Sequence, residues 1–229
     1  MIIYHVVRRQ WYRPGIVVDT NNVNWGNSLG LNSNNTMAAM EIVRLYKKGK
    51  TSLESIVELA IDAFNSKLNG LECYKKHKSS YDTALNLYDV ERFVKTCARY
   101  NQKFRNSNDG LRVREVLFED IRKNFAPQAH SRLKSAFGFD NIDDANLYLQ
   151  ECKINGDSDR KNSIICTLEI GTDASTSIHC GSFIDDVENH STYFESEALL
   201  RAYWAGDASQ TGPKEILISG TFEYGDQLG

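Results

Sequence analysis

Residues 209–225 read SQTGPKEILISGTFEYG, and this stretch contains the first indication of the fold and of the function. Its apolar centre, residues 216–218, is typical of a buried strand. A carboxylate, Glu215, directly precedes that centre. Removing a carboxylate from water costs several kcal/mol unless the group is paired or functional. Glu215 is therefore either the solvent-exposed end of a strand or a functional residue.

The composition is that of an ordinary globular protein. The chain has 229 residues, of which 41% are hydrophobic and 25% are charged, and this length suffices for one substantial core or two small ones. The net charge of −3 excludes a global attraction to nucleic acid or to an anionic membrane. Residues 112–134 are locally basic, and the simplest interpretation of them is a solvated amphipathic helix.

The sequence contains no apolar stretch long enough to span a membrane. The apolar run at residues 2–7 is short and precedes the positive charges, which is the wrong order for a secretory signal. We therefore expect a strand there and a cytoplasmic protein. The 5 cysteines are widely spaced and form no CxxC motif, so they predict reduced thiols rather than a disulfide framework or a zinc site.

The hydrophobic period changes twice along the chain. Residues 2–7 predict a first strand, and the Asn- and Gly-rich residues 19–35 predict a long loop. A helical period follows over about 36–125, with a capping box at Thr51 and Glu54 and an N-cap at Asp109. The remainder predicts strands at 133–139, 162–170, 176–183 and 214–224 and helices at 141–152 and 195–206. This order predicts an α+β fold in a single domain, 1–229, with the helical block inserted between the first and second strands.

Three motifs occur in a defined order. They are YHVVR, which places His5 in the first strand, HSRLKSAFGF at 130–139, and KEILISG at 214–220. In this order they resemble the ADP-ribosyltransferase superfamily. More narrowly, YHVVR, the pairing of FEDIR (118–122) with SRLKSAFGF, and AYWAG (202–206) followed by KEILISG resemble a poorly characterised bacterial branch of it. The resemblance implies a split, mostly antiparallel sheet that encloses NAD, with a catalytic Glu late in the chain. It covers both ends and the middle strand but not the helical block.

The resemblance gives each motif a role. Cleavage of the nicotinamide–ribose bond of NAD develops positive charge on the ribose, and a carboxylate in a dry site stabilises that charge, which is the role implied for Glu215. His5 is expected to bind a ribose hydroxyl, although a core histidine explains it equally simply. Ser131, Arg132 and Ser135 are expected to hold the nicotinamide ribose or the pyrophosphate, with Arg132 on the phosphate. Turn capping and a surface charge are the alternative for these three residues.

An aromatic side chain that stacks on nicotinamide is also expected. Tyr203 is the first candidate and its neighbour Trp204 the second, although a helix that packs its aromatic side chains into the core explains both. Tyr12 and Trp25 are weaker candidates.

Other classes of site lack sequence support. Residues 179–190 include five possible metal ligands, His179, Cys180, Asp185, Asp186 and His190, but their spacing matches no defined ligand pattern, so no metal is expected. The sequence contains no P-loop, no dinucleotide-binding glycine motif and no α/β-hydrolase nucleophile motif.

One departure from the superfamily pattern bears on the acceptor. Many of its toxins place Glu or Gln two residues before the catalytic Glu, where it orients a protein acceptor, and this chain has Pro213 there. We therefore expect an NAD-dependent mono-ADP-ribosyltransferase, a toxin-like or defence effector, which modifies a nucleic acid, with RNA slightly favoured, or a protein. A toxin of this kind would be restrained by an antitoxin partner. The alternative is a catalytically inactive binding module of the same fold.

Overall fold

The computed structural model describes residues 2–23, 33–48, 51–65, 68–78, 85–100, 107–155, 160–189, 192–206 and 211–228. Within these residues the chain forms a seven-stranded sheet and eight α-helices, which confirms the predicted α+β class. The chain divides into two compact units. The first comprises Met1–Trp25, Gln128–Ser182 and Tyr203–Gly229, and the second comprises Gly26–Pro127 and Phe183–Ala202. The single domain expected over 1–229 stays a prediction.

The first unit contains the whole sheet. Its strands are β1 (Ile3–Arg8), β2 (Val17–Asp19), β3 (Ala136–Phe139), β4 (Ser163–Ile170), β5 (Ser175–Cys180), β6 (Lys214–Ser219) and β7 (Thr221–Leu228). Their spatial order is β2-β7-β4-β1-β3-β6-β5, and all these pairings are antiparallel. β1 lies between two strands that follow the helical block in sequence, as the order of the predicted elements requires.

The sheet is nearly divided between β1 and β3. β1 pairs with β4 along its whole length, but it meets β3 at one register pair, Tyr4↔Phe139. Gly138 lies at this junction, where a Cβ atom would stand 2.3 Å from Ile3 Cγ2 and 3.1 Å from the Tyr4 carbonyl oxygen. The half-sheets β2-β7-β4-β1 and β3-β6-β5 therefore join at a point where only glycine leaves enough room.

Helices make up the second unit and one layer of the first. They are α1 (Ser33–Lys48), α2 (Leu53–Asn65), α3 (Gly70–His77), α4 (Leu87–Tyr100), α5 (Ser107–Phe125), α6 (Ile142–Asn155), α7 (Ser182–Asn189) and α8 (Tyr193–Ala205). α6 belongs to the first unit, where it contacts β1, β3 and β4. Its first turn carries Asp143 and Asp144, whose negative charges suit the positive end of the helix dipole.

Alternation along the strands separates the two faces of the sheet. One face carries the apolar core of the first unit, whose buried members are Ile3, Val7, Ala136, Ile164, Cys166, Leu168, Ile216, Ile218, Phe222 and Tyr224. Burying apolar surface contributes roughly 25 cal/mol per Å², so this face stabilises both half-sheets. The residues between these positions, including Tyr4 and Glu215, point to the other face.

Some predicted boundaries are wrong for local reasons. The strand predicted at 214–224 is two strands, because Gly220 turns the chain at a φ of 111° between β6 and β7. The helix that follows the predicted capping box at Thr51 and Glu54 runs from Leu53 to Asn65. Its cap is Ser52 rather than Thr51, since the Ser52 hydroxyl accepts a hydrogen bond from the Ser55 amide at 3.1 Å.

Three short elements have no counterpart in the sequence-based prediction. β2 has three residues, too few for a periodic signal, and it begins before the predicted loop. The helical block therefore lies between the second and third strands, and its predicted place between the first and second strands is wrong. α3 follows a capping box in which Asn69 and Glu72 each accept from the other's backbone amide. α7 occupies residues where the sequence predicts the end of a strand, which in fact stops at Cys180.

The predicted N-cap at Asp109 is wrong. α5 begins at Ser107, so Asp109 lies inside the helix and is not its cap.

The described cysteines, Cys73, Cys152, Cys166 and Cys180, are free thiols, and the Cys97 side chain lies outside the description. No helix in the described part of the chain is long and apolar enough to cross a membrane.

The β1–β3 junction predicts the effect of one added methyl group. Gly138→Ala should lower the free energy of unfolding by about 1–3 kcal/mol, because the new Cβ displaces Ile3 or the Tyr4 backbone. Denaturant unfolding measures this loss. Ile3→Ala removes the nearest atom, so the cost of Gly138→Ala should be smaller in that background. Equal costs in both backgrounds would contradict the assigned contact.

Candidate active site

Strand register aligns four side chains across the half-sheet junction. Tyr4 of β1 pairs with Phe139 of β3, Phe139 pairs with Glu215 of β6, and Glu215 pairs with His179 of β5. Directly opposed residues in a sheet present their side chains on the same face, so these four form a row. This row lies on the face opposite the apolar core.

The carboxylate of Glu215 is held through one of its two oxygens. Oε2 accepts hydrogen bonds from Arg132 Nη1 and from the Tyr203 hydroxyl, the second at 2.6 Å. Arg132 Nη1 also donates to the Tyr203 hydroxyl at 2.8 Å. Among the described residues no group donates to Oε1. The contacts therefore fix the orientation of Glu215 and leave one oxygen for a further donor.

Arg132 reaches this position from a short 3-10 helix, residues 132–134, and is 8% exposed. Its guanidinium lies 4.9 Å from the ring centroid of Phe137 and 5.6 Å from that of Tyr203. A buried guanidinium is costly unless a carboxylate compensates its charge, and aromatic faces add a favourable electrostatic contact. Arg132 and Glu215 thus each make the burial of the other tolerable.

His179 holds the backbone of Tyr203. Its Nδ1 lies 2.8 Å from the Tyr203 carbonyl oxygen, which can only accept, so Nδ1 carries the proton. In the neutral ring Nε2 then accepts from the Ser177 hydroxyl at 2.9 Å. The His179 and Tyr203 rings also stack, with centroids 4.5 Å apart and an interplanar angle of 23°. Ser177 and His179 therefore position the tyrosine that donates to Glu215.

The charge states of these groups follow from burial. Burial lowers the pKa of His179, which keeps the imidazole neutral and preserves the tautomer described above. Burial also raises the pKa of Tyr203 well above its ordinary value, with the Arg132 charge opposing and the Glu215 charge assisting. The Tyr203 hydroxyl thus remains a proton donor to the carboxylate.

Tyr148 of α6 is a neighbour of this row that the sequence did not reveal. It is 39% exposed, and its ring centroid lies 5.6 Å from that of Phe139, the strand partner of Glu215. Its hydroxyl is buried although the side chain as a whole is not, and this burial is the main reason why the pKa of Tyr148 is raised to about 12; the negative charge of Glu215 is one of the smaller causes. Tyr148 and Phe139 therefore present an aromatic pair beside the carboxylate, with Tyr148 partly open to solvent.

His5 is not brought to this row. It follows Tyr4 in β1 and therefore points to the opposite face, with its ring centroid 6.0 Å from that of Tyr224. Its Nδ1 donates to the carbonyl of Phe137, across the gap between β1 and β3. Burial lowers its pKa, so it is a neutral histidine that ties the two half-sheets together.

The other predicted residues have varied surroundings. Ser131 precedes the 3-10 helix and makes no side-chain capping bond there. Ser135 is 1% exposed, and its hydroxyl is buried without a hydrogen-bond partner. Trp204 packs edge-on against His179 and Tyr203.

The Tyr12 hydroxyl donates to the Gly225 carbonyl at 2.9 Å, outside the Glu215 row. Trp25 lies outside the described residues. In the part of the chain that the structure describes, no three potential metal ligands form a group, and His190 lies outside that part.

Comparison with models of protein families gives a match over nearly the whole chain. A family model described as "Protein of unknown function (DUF2441)" matches residues 3–228. The chain belongs to this family. The matched range includes residues 36–125, so the helical block lies within the extent of the family. A comparison with curated proteins found no match.

The buried histidines predict a pH dependence of stability. His5 and His179 have folded-state pKa values below the ordinary 6.5, so the unfolded chain binds their protons more readily than the folded chain. Their contribution is complete above pH 6.5 and is lost as the pH falls towards the folded pKa values. Denaturant unfolding at several pH values below 6.5 measures how the free energy of unfolding falls with pH. This fall should be smaller for His179→Asn than for wild type. Identical slopes would contradict a buried neutral His179.

Proposed function

We propose that the protein is an NAD-dependent mono-ADP-ribosyltransferase in which Glu215 is the catalytic carboxylate. The observation that carries this proposal is the asymmetry of Glu215. Arg132 and Tyr203 hold Oε2, while Oε1 has no donor among the described residues. A fixed carboxylate with one open oxygen suits a hydroxyl on which positive charge develops nearby, because preorganised groups stabilise such charge without reorganisation.

The proposed reaction breaks the bond between the nicotinamide nitrogen and the ribose carbon of NAD. The bonding electrons leave with nicotinamide, and the ribose becomes oxocarbenium-like. Glu215 Oε1 accepts a hydrogen bond from a ribose hydroxyl and stabilises the developing charge. A nucleophilic group of the acceptor then bonds to the ribose carbon and releases its proton. The products are ADP-ribosylated acceptor, nicotinamide and one proton.

The proposal changes two roles expected from the sequence. Arg132 pairs with Glu215, so it orients the carboxylate rather than binding a phosphate. His5 faces the opposite side of the sheet, so it supports the junction of the half-sheets rather than binding the ribose beside Glu215. Ser131 and Ser135 keep their proposed places on the nicotinamide ribose or pyrophosphate. The Ser135 hydroxyl has no hydrogen-bond partner but is closed to solvent, so a ligand reaches it only if neighbouring residues move.

The aromatic contact to nicotinamide is also reassigned. The Tyr203 hydroxyl is used by Glu215 and its ring stacks on His179, so it is the positioning residue of the carboxylate. Tyr148 beside Phe139 is the better platform for a flat ring, because it is partly exposed next to the row that contains Glu215. The resemblance of the three sequence motifs and the near division of the sheet also support the proposed ADP-ribosyltransferase function.

The proposed biological setting is a cytoplasmic toxin-like or defence effector with an antitoxin partner. Pro213 occupies the position where many toxins of the superfamily have an acceptor-orienting Glu or Gln, and its carbonyl accepts from the Gly181 amide at 2.8 Å. A nucleic acid acceptor, RNA in particular, is therefore preferred over a protein.

A catalytically inactive binding module is the second candidate. The pairing of Glu215 with Arg132 favours it, because an ion pair of this kind also occurs as a purely structural feature. Pro213 is the second observation in its favour.

Transfer of label from NAD separates the two candidates. Wild-type protein should release nicotinamide and label an acceptor in total RNA or in bacterial protein, and Glu215→Gln should reduce the rate by about 10²-fold or more. Glu223→Gln is the matched control, since Glu223 is also a half-buried glutamate in a strand of the sheet and should keep full activity. Absence of nicotinamide release from wild type would establish the binding module. Equal activity of wild type and Glu215→Gln would remove Glu215 from the reaction.

The positioning role of Tyr203 predicts a smaller effect. Tyr203→Phe keeps the ring that stacks on His179 but removes the hydroxyl that donates to Glu215. A hydrogen bond to a charged group contributes roughly 1.5–3 kcal/mol, so kcat should fall about 10- to 100-fold while the fold is retained. Steady-state kinetics of nicotinamide release and thermal unfolding measure the two properties. A changed KM with unchanged kcat would instead place Tyr203 in ground-state binding.

A further inference from the structure

The turn that follows β1 is held in a defined conformation. The backbone amides of Trp11 and Tyr12 both donate to the Arg8 carbonyl, at 2.8 Å and 3.3 Å. The Tyr12 hydroxyl donates to the carbonyl of Gly225 in β7 at 2.9 Å, which attaches the turn to the sheet. Side chains on this turn are therefore presented by a rigid element.

A second basic segment lies beside this turn. The Arg9 amide donates to the Asn162 carbonyl at 3.0 Å, and Arg8 is the strand partner of Ser163. The 3-10 helix at residues 160–162 therefore adjoins the turn. Two segments that are distant in sequence bring together one aromatic and five basic residues, which we call the Trp11 surface: Arg8, Arg9, Trp11, Arg13, Arg160 and Lys161.

The Trp11 surface is accessible and positively charged. Trp11 is 43% exposed, and the guanidinium of Arg8 lies 4.5 Å from its ring centroid. Arg9, Arg13 and Lys161 are exposed, and they make no ion pair within the described part of the chain. The surface thus differs from the chain as a whole, whose net charge is −3.

Among the residues that the structure describes, two carboxylates lie near this surface and do not cancel its charge. Glu151 is close to Arg8 and Arg160, since all three influence the pKa of the Cys152 thiol, which burial raises. Asp226 follows Gly225, to which Tyr12 is bonded, and is exposed. The five basic side chains outnumber these two acidic ones.

We propose that the Trp11 surface binds single-stranded RNA and delivers the acceptor to Glu215. The delivery to Glu215 rests on the ADP-ribosyltransferase function proposed above, and it makes single-stranded RNA the acceptor of that reaction. An exposed tryptophan stacks on an unpaired base, and arginine and lysine bind the phosphates on either side, which is how single strands are held without sequence preference. A duplex keeps its bases stacked inside, so it uses the cations but not the tryptophan.

The strand register supports delivery to the active site. Arg8 and Tyr4 are separated by an even number of residues in β1, so both point to the face that carries Glu215. Four residues of a strand span about 13 Å, so the Trp11 surface begins about that far along β1 from the row of Tyr4, Phe139 and Glu215. An RNA strand bound at Trp11 therefore lies on the same side of the sheet as Glu215, and it has to pass α6, which packs on that face, to reach the carboxylate.

Fluorescence anisotropy with a labelled oligo(U) strand tests the surface. Wild type should bind at near-physiological salt, and Trp11→Ala should weaken binding roughly tenfold or more. The double variant Arg9→Gln/Lys161→Gln should reduce the slope of log affinity against log salt by roughly 0.7 for each phosphate that the variant no longer binds. Trp11→Phe retains a ring and should restore part of the affinity.

Phe125→Ala is the matched control. Phe125 is 42% exposed and has the guanidinium of Arg201 5.1 Å from its ring centroid, so it is a similar aromatic–arginine pair elsewhere in the chain. This variant should bind RNA as wild type does, and thermal unfolding should show that Trp11→Ala remains folded. A wild type that does not bind the strand would overturn the proposal, as would equal affinities of wild type and Trp11→Ala, or an equal loss of affinity in Phe125→Ala.

Further readouts separate this proposal from the proposed function. Glu215→Gln should bind RNA normally, while Trp11→Ala should still release nicotinamide in the absence of RNA. RNA binding that depends on Trp11, in a protein that does not cleave NAD, would support the surface and reject the enzyme. NAD cleavage with transfer to protein alone would support the enzyme and reject RNA delivery. Equal dependence on Trp11 for a duplex and for a single strand would reject the stacking mode.

Discussion

The buried contact between Arg132 and Glu215 ties together several elements of the first unit. Neither ion is stable away from water by itself, and removing one partner of such a pair costs about 3–5 kcal/mol. The contact requires the 3-10 helix at residues 132–134, the start of β6 and the end of α8 to meet at one point. His179 and Ser177 in β5 then fix the position of Tyr203, and thereby the hydrogen bond to Glu215. The geometry around Glu215 is consequently part of the packing of the half-sheet.

The near division of the sheet determines which residues can act together. β1 and β3 share one register pair, and the close approach at Gly138 sets where they meet. One face of the sheet carries the apolar core and His5, and the opposite face carries the row that contains Glu215. A ligand bound beside Glu215 therefore contacts Phe139, Tyr148 and the 3-10 helix more readily than it contacts the core face. The roles proposed for His5 and Arg132 follow from this separation.

Much of this arrangement could be predicted from the sequence, and the remainder could not for identifiable reasons. Strand and helix periods predict the α+β order, and the unusual carboxylate before residues 216–218 identifies Glu215. The sequence motifs also indicate Arg132 and Tyr203, but the contact of these residues with Glu215 depends on long-range packing that no local pattern contains. The face to which His5 points depends on register with β3, because a shift of one residue reverses every side chain. Tyr148 gives no sequence signal, since its place beside Phe139 arises from the packing of α6 on β3.

The positions of the two proposed sites also bear on the choice of acceptor. Transfer of ADP-ribose needs a second substrate to approach the ribose after nicotinamide begins to leave, so the acceptor must be held before the reaction. Pro213 offers no side-chain donor or acceptor for this task, which removes the usual means of orienting a protein side chain. A surface that holds a polyanion at the turn after β1 would perform this task differently, because it fixes the nucleic-acid strand rather than the reacting group. Specificity would then come from the reach of the bound strand and from its unpaired bases. In this proposal the basic turn after β1 provides both the charge and the stacking ring.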